Sequence, residues 1–154
     1  MEGGAVGLAY TIIGYVDSDS NNCKYPIALI LLDNLKPHEM VIEERVKMLQ
    51  ESLVREGVQI RPILVDYKTM VILDGHHRVE ALRRLGARKV AAVLVDYDSD
   101  ECIKVGTWRE GWVVSKNEVR ERGLKGKLYP PRTSRHMPRF KVPEVNVPLN
   151  DLLG

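Results

Sequence analysis

The pattern of apolar and polar positions along this chain predicts alternating strands and helices. Four apolar runs of strand length lie at residues 27–32, 62–66, 70–74 and 90–96, and a polar turn at 67–69 separates the middle two. Between the first two runs, apolar residues recur with spacings of four, three and four at Ile42, Val46, Leu49 and Leu53. This spacing is typical of one face of a helix, so it predicts a helix over residues 41–56 that ends at Gly57.

A second helix is predicted directly after the strand at 70–74. Val79, Leu82 and Leu85 share one of its faces, and Gly86 ends it. Residues 115 and 118 are Ser and Glu at the spacing of a helix-capping box, which predicts a short helix over residues 115–121. We therefore expect a mixed α/β (α+β) domain, with a small mixed sheet flanked by helices.

The two ends of the chain differ in composition from the middle. Residues 1–22 contain four glycines and a polar run at 17–22, which predicts an irregular arm with room for a short strand at 11–16. After residue 126 the chain is rich in proline, which predicts an extended segment packed back over the domain. The expected organisation is an N-terminal arm at 1–22 and one domain at 23–154, whose C-terminal tail begins near residue 127.

Composition and charge exclude several classes of protein. The 154 residues include 23 Lys and Arg against 21 Asp and Glu, and this net charge of +2 argues against binding nucleic acid mainly through charge. The uncharged stretch at residues 3–16 is shorter than the roughly 20 residues that span a bilayer, and no basic segment precedes it. Cys23 and Cys102 lie far apart, so we expect neither a disulfide framework nor a zinc knuckle, and we expect a cytoplasmic protein without a membrane partner.

The strongest candidate for chemistry is the run Asp74, Gly75, His76, His77 and Arg78 at the predicted strand-to-helix junction. Glycine lets the backbone approach an anion closely, the first turn of a helix offers unpaired N–H groups, and His and Arg add donors suited to phosphate oxygens. The carboxylate of Asp74 is placed to cap the helix or to hold a hydrated Mg²⁺ between phosphates. The simpler interpretation is a capped helix that carries two surface histidines.

Two shorter segments are further candidates. Glu39, beside His38 in the loop before the long helix, could accept a proton from a substrate hydroxyl, although Glu is also common in the first turn of a helix. Residues 133–136 combine two hydroxyls, a guanidinium and an imidazole, a set that suits a carboxylate or phosphate; the alternative is a solvated loop. All four histidines lie in polar segments, so we expect none of them in the core, and none has the spacing of a known zinc motif.

The pattern Gly75-x-x-Arg78-x-x-Ala81 carries a resemblance to a known family. Residues 35–108 resemble the ParB/sulfiredoxin-like nucleotide-binding domain, in which this turn cradles phosphates. Three segments in order are similar to the free L-serine kinases: residues 36–39 (Lys-Pro-His-Glu), residues 74–78 at the end of a strand, and residues 130–136 leading to 146–149.

The resemblance implies a kinase that transfers a phosphoryl group from a nucleotide to the hydroxyl of free L-serine, giving O-phospho-L-serine. It implies ATP as donor, with ADP as the alternative, and Mg²⁺ as the metal; phosphoryl transfer of this kind depends mainly on positioning and charge stabilisation. By position, it implies these roles: Glu39 as general base; Asp74 as a catalytic and Mg²⁺-binding carboxylate; Gly75, His76, His77 and Arg78 as phosphate ligands; and Ser52, Trp108, Thr133, Ser134, Arg135 and His136 as ligands of serine or its phosphorylated product.

The sequence departs from the family in two places. Only residues 109–132 separate Trp108 from the 133–136 segment, where relatives can carry a larger insert, and Ser134 stands where threonine is common. The shorter connection leaves the donor open between ATP and ADP.

Two other classes of protein share part of the pattern. A sulfiredoxin needs a cysteine in the turn, where this chain has His76, so that chemistry is excluded. A ParB-type nucleotide-dependent DNA-binding or regulatory module, or a ParB-like nuclease, shares Gly75, Arg78 and Ala81, but no helical pair suited to the major groove is predicted after residue 95. The kinase is therefore the expected function and the DNA-directed module the alternative; the expected partners are L-serine and an adenine nucleotide, without nucleic acid.

Overall fold

A five-stranded mixed sheet forms the centre of the fold in the computed structural model, which describes residues 10–16 and 22–154. The elements follow in chain order: β1 (Tyr10–Val16), β2 (Tyr25–Leu31), α1 (Glu43–Glu56), β3 (Val58–Gln59), β4 (Ile63–Asp66), β5 (Ile72–Asp74), α2 (His76–Arg84), β6 (Lys89–Val95), β7 (Ile103–Thr107), α3 (Lys116–Lys125), β8 (Ser134–Pro138), β9 (Val147–Pro148) and α4 (Leu149–Leu153). The expected mixed α/β fold is thereby confirmed.

The sheet has the order β1-β2-β6-β4-β5, with β6 at its centre. Strand β6 pairs in parallel with β4, from Ile63 opposite Ala92 to Asp66 opposite Val95, and antiparallel with β2. Every residue of β6 after Lys89 is buried, because helices or strands cover both faces of the sheet. The edge strand β5 runs antiparallel to β4 and ends at Asp74, where the chain turns into α2.

Two hydrophobic cores lie on opposite faces of the sheet. One core packs Val46, Leu53, Val79 and Leu82 of α1 and α2, together with residues of α4, against the sheet. The other core gathers residues from α3, from the β7–β8 pair and from the connections between them. Strands β7 and β8 form a separate antiparallel pair, from Ile103 opposite Pro138 to Thr107 opposite Ser134, and this pairing returns the C-terminal segment to the carboxyl end of β5.

The predicted strands and the first two helices are present, with ends that shift by one or two residues. The predicted irregular arm left room for a strand at 11–16, and β1 occupies Tyr10–Val16 as an edge strand of the main sheet. This part of the arm is therefore regular. The rest of that arm before residue 22 lies outside the described residues. Helix α3 continues to Lys125 beyond its predicted end, and Ser115 Oγ accepts a hydrogen bond from the Glu118 N–H at its start. In the described part of the chain, no helix combines the length and apolar composition that crossing a bilayer requires.

The expectation that the two cysteines take no part in a disulfide is wrong. Cys23, just before β2, and Cys102, just before β7, form a disulfide, with their Cα atoms 5.5 Å apart. Both side chains are buried in the second core, although 79 residues separate them in sequence. Strand pairing brings the two positions together. The spacing of the two cysteines in the sequence does not predict that contact, so it does not indicate a reducing compartment either.

Candidate active site

A cleft of about 970 Å³ opens where β5, α1, α2 and the C-terminal segment meet. Five arginines and two carboxylates line it: Arg45, Arg55, Arg61, Arg78, Arg132, Glu39 and Asp74. This excess of positive charge in a partly enclosed space favours a ligand with several negative charges.

The turn from β5 into α2 forms the floor of the cleft. Gly75 has φ of +114°, and a Cβ there would lie 2.3 Å from Cγ2 of Ile63, so only glycine fits this turn. Among the described residues, no side chain caps the start of α2, which leaves the backbone N–H groups of its first turn available to a ligand. Together with the helix dipole, these N–H groups make the turn suited to a phosphate.

Asp74 and Arg78 stand on either side of this turn and stabilise each other electrostatically. Desolvation by the surrounding protein raises the pKa of Asp74, which lines the cleft, and the positive charge of Arg78 opposes that rise. Burial lowers the pKa of Arg78, while Asp74 counteracts the effect. The guanidinium remains a cation, so it is available to a phosphate oxygen.

The loop that carries Glu39 is attached on both sides. Lys36 forms an isolated parallel bridge with Val71 next to β5, and Glu39 forms another with Tyr129. The Glu39 carboxylate is 9% exposed and accepts hydrogen bonds from the C-terminal segment: the N–H of Arg132 donates to Oε2 at 3.0 Å, and the N–H groups of residues 133 and 134 donate to Oε1 at 3.2 and 2.9 Å. Glu39 therefore holds the C-terminal segment against the cleft in addition to lining it.

Two of the four histidines are buried, contrary to the expectation from sequence. His38 has no exposed surface and His76 is 7% exposed, because the loop at 36–40 lies beneath the C-terminal segment. His76 Nε2 accepts the backbone N–H of residue 38 at 3.1 Å, and His77 Nε2 accepts the N–H of Ile42, just before α1, at 3.0 Å. Each imidazole thus satisfies a backbone donor that a buried loop or helix start would otherwise leave unpaired.

Burial also decides the charge of these rings. It lowers the pKa of His76 well below its usual value, and the neighbouring histidines lower it further. Burial, followed by the charge of Arg45, lowers the pKa of His77. Both rings are therefore neutral at pH 7, so the positive charge of the cleft comes from its arginines.

The structure brings most of the predicted site residues together at the cleft: Glu39, Ser52, Asp74, Gly75, His76, His77, Arg78, Trp108 and Ser134. Trp108 stands at the edge with 53% of its surface exposed, and the guanidinium carbons of Arg135 and Arg132 lie 4.4 and 5.4 Å from its ring centroid. Two guanidinium groups packed against the indole add positive charge at this edge of the cleft.

Three predicted ligands of serine do not line the cleft. Thr133 is fully buried, where its hydroxyl donates to the Pro130 carbonyl at 2.7 Å and accepts from Arg109 Nε at 2.9 Å. The guanidinium of Arg135 packs against the Trp108 ring without lining the cleft, and the Nε2 atom of His136 lies 2.7 Å from the Tyr97 hydroxyl. Burial lowers the pKa of His136 to about 3, so this ring is also neutral.

Several cleft residues were not identified from sequence. Arg45 and Arg55 lie on α1 with Met48, Leu49 and Ser52, at spacings of three, one, three and three residues that place them along one side of the helix. These residues form a second stripe on α1, beside the apolar stripe that faces the core. Their spacing could have been recognised in the sequence as a second functional side of the helix. Arg61 and Arg132 had no such signal, because loops place them at the cleft.

Comparisons with known proteins agree with this geometry. The ParB N-terminal domain family matches residues 17–108. An ADP-dependent L-serine kinase of Thermococcus kodakarensis is 36% identical over 64% of this chain and 42% of its own length. An ATP-dependent L-serine kinase of Staphylothermus marinus is 39% identical over 60% of this chain and 38% of its own length. The chain therefore matches about two fifths of the length of these curated relatives.

Solved structures share the fold at lower sequence identity. A free serine kinase with a glutamate-to-glutamine mutation, in complex with AMP, superposes with a TM-score of 0.74. It is 20% identical, and the match covers 95% of this chain and 97% of that one. The family match extends over more than half of the sequence and includes the Gly75 turn and Glu39, and the chain accordingly belongs to the ParB N-terminal domain family.

Proposed function

We propose that this protein transfers a phosphoryl group from an adenine nucleotide to the hydroxyl of free L-serine, with O-phospho-L-serine as the product. The observation that carries the proposal is the placement of the Glu39 carboxylate on the same cleft as the uncapped first turn of α2 and the five arginines. An acceptor for a hydroxyl proton thereby stands beside a site suited to phosphates. The relatives named as L-serine kinases support the choice of substrate.

In this proposal each part of the cleft has one task. Glu39 takes the proton from the serine hydroxyl, whose oxygen forms the new bond to phosphorus as the bond to the nucleotide breaks. The backbone N–H groups at the start of α2 hold the phosphates, and Arg78 with the other arginines stabilises the charge that develops on the transferred group. Trp108 and Arg132 form the outer wall beside the serine.

In this proposal Asp74 holds Mg²⁺, since Asp74 lines the cleft beside the phosphate turn. Within residues 10–16 and 22–154, no group of three or more His, Cys, Asp or Glu residues could hold a metal by itself. One carboxylate beside a phosphate site fits magnesium, which commonly uses one or two carboxylates together with phosphate oxygens and water. Bound Mg²⁺ would neutralise charge on the phosphates.

The test incubates the purified protein with L-serine, Mg²⁺ and either ATP, ADP or CTP, and measures O-phosphoserine by ³¹P NMR. We expect product from ATP or ADP. The Glu39→Gln variant should lose about a hundredfold or more in rate, because the amide cannot accept the proton. Glu51→Gln is the matched control, since Glu51 is exposed on α1 and is not a lining residue of the cleft.

Two results would contradict the proposal. Equal rates for Glu39→Gln and Glu51→Gln would remove Glu39 from the role of base. No O-phosphoserine from any nucleotide, together with CTP hydrolysis or salt-dependent retention of DNA, would favour the ParB-type module instead.

A further inference from the structure

Three buried side chains form a continuous row from the cleft into the interior. Ser134 Oγ lies 3.0 Å from Glu39 Oε1 and 2.8 Å from His38 Nε2. On its other side, His38 Nδ1 lies 2.6 Å from the carbonyl oxygen of Ile72. The exposed fractions of Glu39, Ser134 and His38 are 9%, 8% and 0%, so the row leads away from solvent.

The chemistry of these atoms determines how many protons the row contains. The Ile72 carbonyl can only accept, so Nδ1 of His38 carries a proton, and Nε2 of the neutral ring is an acceptor. The Ser134 hydroxyl has one proton and faces two acceptors, Nε2 of His38 and Oε1 of Glu39. When Glu39 is ionised and His38 is neutral, one of these two contacts therefore lacks a proton. One additional proton in the row completes both hydrogen bonds.

We propose that Ser134 and His38 are positioning residues that strengthen Glu39 as a base, because the row Glu39–Ser134–His38 is fully hydrogen-bonded only after Glu39 has taken up a proton. This inference rests on the proposed function, in which Glu39 receives the proton of the serine hydroxyl. As that O–H bond breaks, its electron pair forms the bond to phosphorus, and the leaving nucleotide takes the electron pair of the broken P–O bond. The protonated carboxyl of Glu39 then donates a hydrogen bond to Oγ of Ser134, and the Ser134 hydroxyl donates a hydrogen bond to Nε2 of His38.

The groups around the row leave this proton count unchanged. Burial lowers the pKa of His38, the Ile72 carbonyl and Glu39 raise it, and Arg122 lowers it, so the ring is neutral when Glu39 is ionised. The rings of His76, His136 and Tyr129 pack against His38, and the first two are neutral for the reasons given above. Asp74 and His77 are the titratable groups that interact with Glu39 from the cleft side.

The experiment is a double-mutant cycle of His38→Asn and Ser134→Ala, read as the pH dependence of kcat. Asparagine keeps a donor near the Nδ1 position for the Ile72 carbonyl and removes the acceptor at Nε2. The Ser134 hydroxyl then donates to ionised Glu39, so we expect the acid limb of kcat to move to lower pH by about half a unit or more. In His38→Asn the KM values for serine and nucleotide should change by less than about twofold, because His38 is fully buried and is not a lining residue of the cleft.

The cycle separates this role from a merely structural one. On a Ser134→Ala background, His38→Asn should cause no further shift of the acid limb, because the connection between His38 and Glu39 is already absent. Ser134→Thr keeps the hydroxyl and should keep the wild-type midpoint. An unchanged midpoint in His38→Asn, or an equal shift with and without the Ser134 hydroxyl, would overturn the proposal.

A second measurement does not depend on turnover. The ¹³C carboxyl shift of Glu39 in the ligand-free protein gives a titration midpoint, which should fall in His38→Asn and should not fall further when that change is added to Ser134→Ala. If the wild-type protein makes no O-phosphoserine from any donor, the proposed function fails, and this titration still decides whether the row controls Glu39.

Discussion

At the scale of single residues, Gly75 controls whether the phosphate turn can form. A Cβ at this position would lie 2.3 Å from Cγ2 and 2.7 Å from Cβ of Ile63. Because the backbone of β4 fixes the Cβ of Ile63, a change of rotamer cannot relieve the contact. The φ of +114° adds a backbone conformation that residues with a side chain rarely adopt. The constraint is therefore both steric and conformational.

Gly75→Ala should lower the free energy of unfolding by about 2–4 kcal/mol, through overpacking against Ile63 and backbone strain. Urea denaturation followed by circular dichroism measures the change. Gly86→Ala is the matched control: its φ is +83° and no atom lies within 4 Å of the added Cβ, so only the strain, about 1 kcal/mol, should be lost. Equal losses in the two variants would show that contact with Ile63 does not restrict the turn.

Arg132 is a second residue whose conformation belongs to the site. Its φ is +56°, an uncommon value for a residue with a side chain. In this conformation its N–H donates to Glu39 Oε2 and its guanidinium lies over Trp108. Backbone strain of this kind is commonly found at binding and catalytic positions.

At the scale of elements, helix α1 has two functional sides. Its buried side, which includes Val46 and Leu53, packs on the sheet, and ion pairing of Glu43 with Arg84 attaches the helix to α2. The neighbouring side presents Arg45, Ser52 and other residues to the cleft. One helix thus contributes to the core and also to the wall of the cleft.

Arg45→Gln should weaken ADP binding about tenfold, the loss of roughly 1.4 kcal/mol, since a cation facing the phosphates is removed. Isothermal titration calorimetry measures the affinity. Lys47→Gln removes the same charge from the exposed part of the helix outside the cleft and should have little effect. If both variants bind ADP equally well, the α1 wall does not contact the nucleotide.

At the scale of the whole molecule, the buried histidines couple stability to pH. The pKa values of His38 and His76 are lowered, mainly by burial, and that of His136 is lowered by burial to about 3. In the unfolded chain these rings titrate near 6.5. Below that pH the unfolded state binds protons that the folded state does not, so stability must fall as the pH is lowered.

The free energy of unfolding should therefore be constant above about pH 7 and decrease between pH 6.5 and 5, by up to about 1.4 kcal/mol per pH unit for each histidine that stays neutral in the folded protein. Urea denaturation at several pH values measures the slope. His136→Gln removes one such ring and should make the slope shallower by about one proton. A stability that is unchanged from pH 7 to pH 5 would contradict the buried, neutral state of these rings.

Much of the fold could be predicted from local patterns. The apolar runs that became β2, β4, β5 and β6 and the helical stripe of α1 signal their own structure, because burial on a sheet or against a helix requires that periodicity. Strand β8 has no such signal: its sequence, SRHMP, is mostly polar, and it is a strand because β7 pairs with it. Strands β3 and β9, of two residues each, are likewise too short to give a signal in the sequence, and they form by pairing with each other.

The turn at Asp74, Gly75 and Arg78 was determined by the sequence itself, because a glycine between a strand and an uncapped helix specifies a close-approach turn over a few consecutive residues. Only the tertiary structure decided the partners of Glu39, the burial of His38 and the Cys23–Cys102 disulfide. The disulfide and the hydrogen bonds of Ser134 join positions 79 to 96 residues apart, and the burial of His38 depends on the C-terminal segment that covers its loop. Such contacts form only when the whole sheet has assembled. Local patterns record the conformation that each segment prefers, whereas hydrogen-bond partners, burial and the charge of a buried ring depend on what the rest of the chain places beside it.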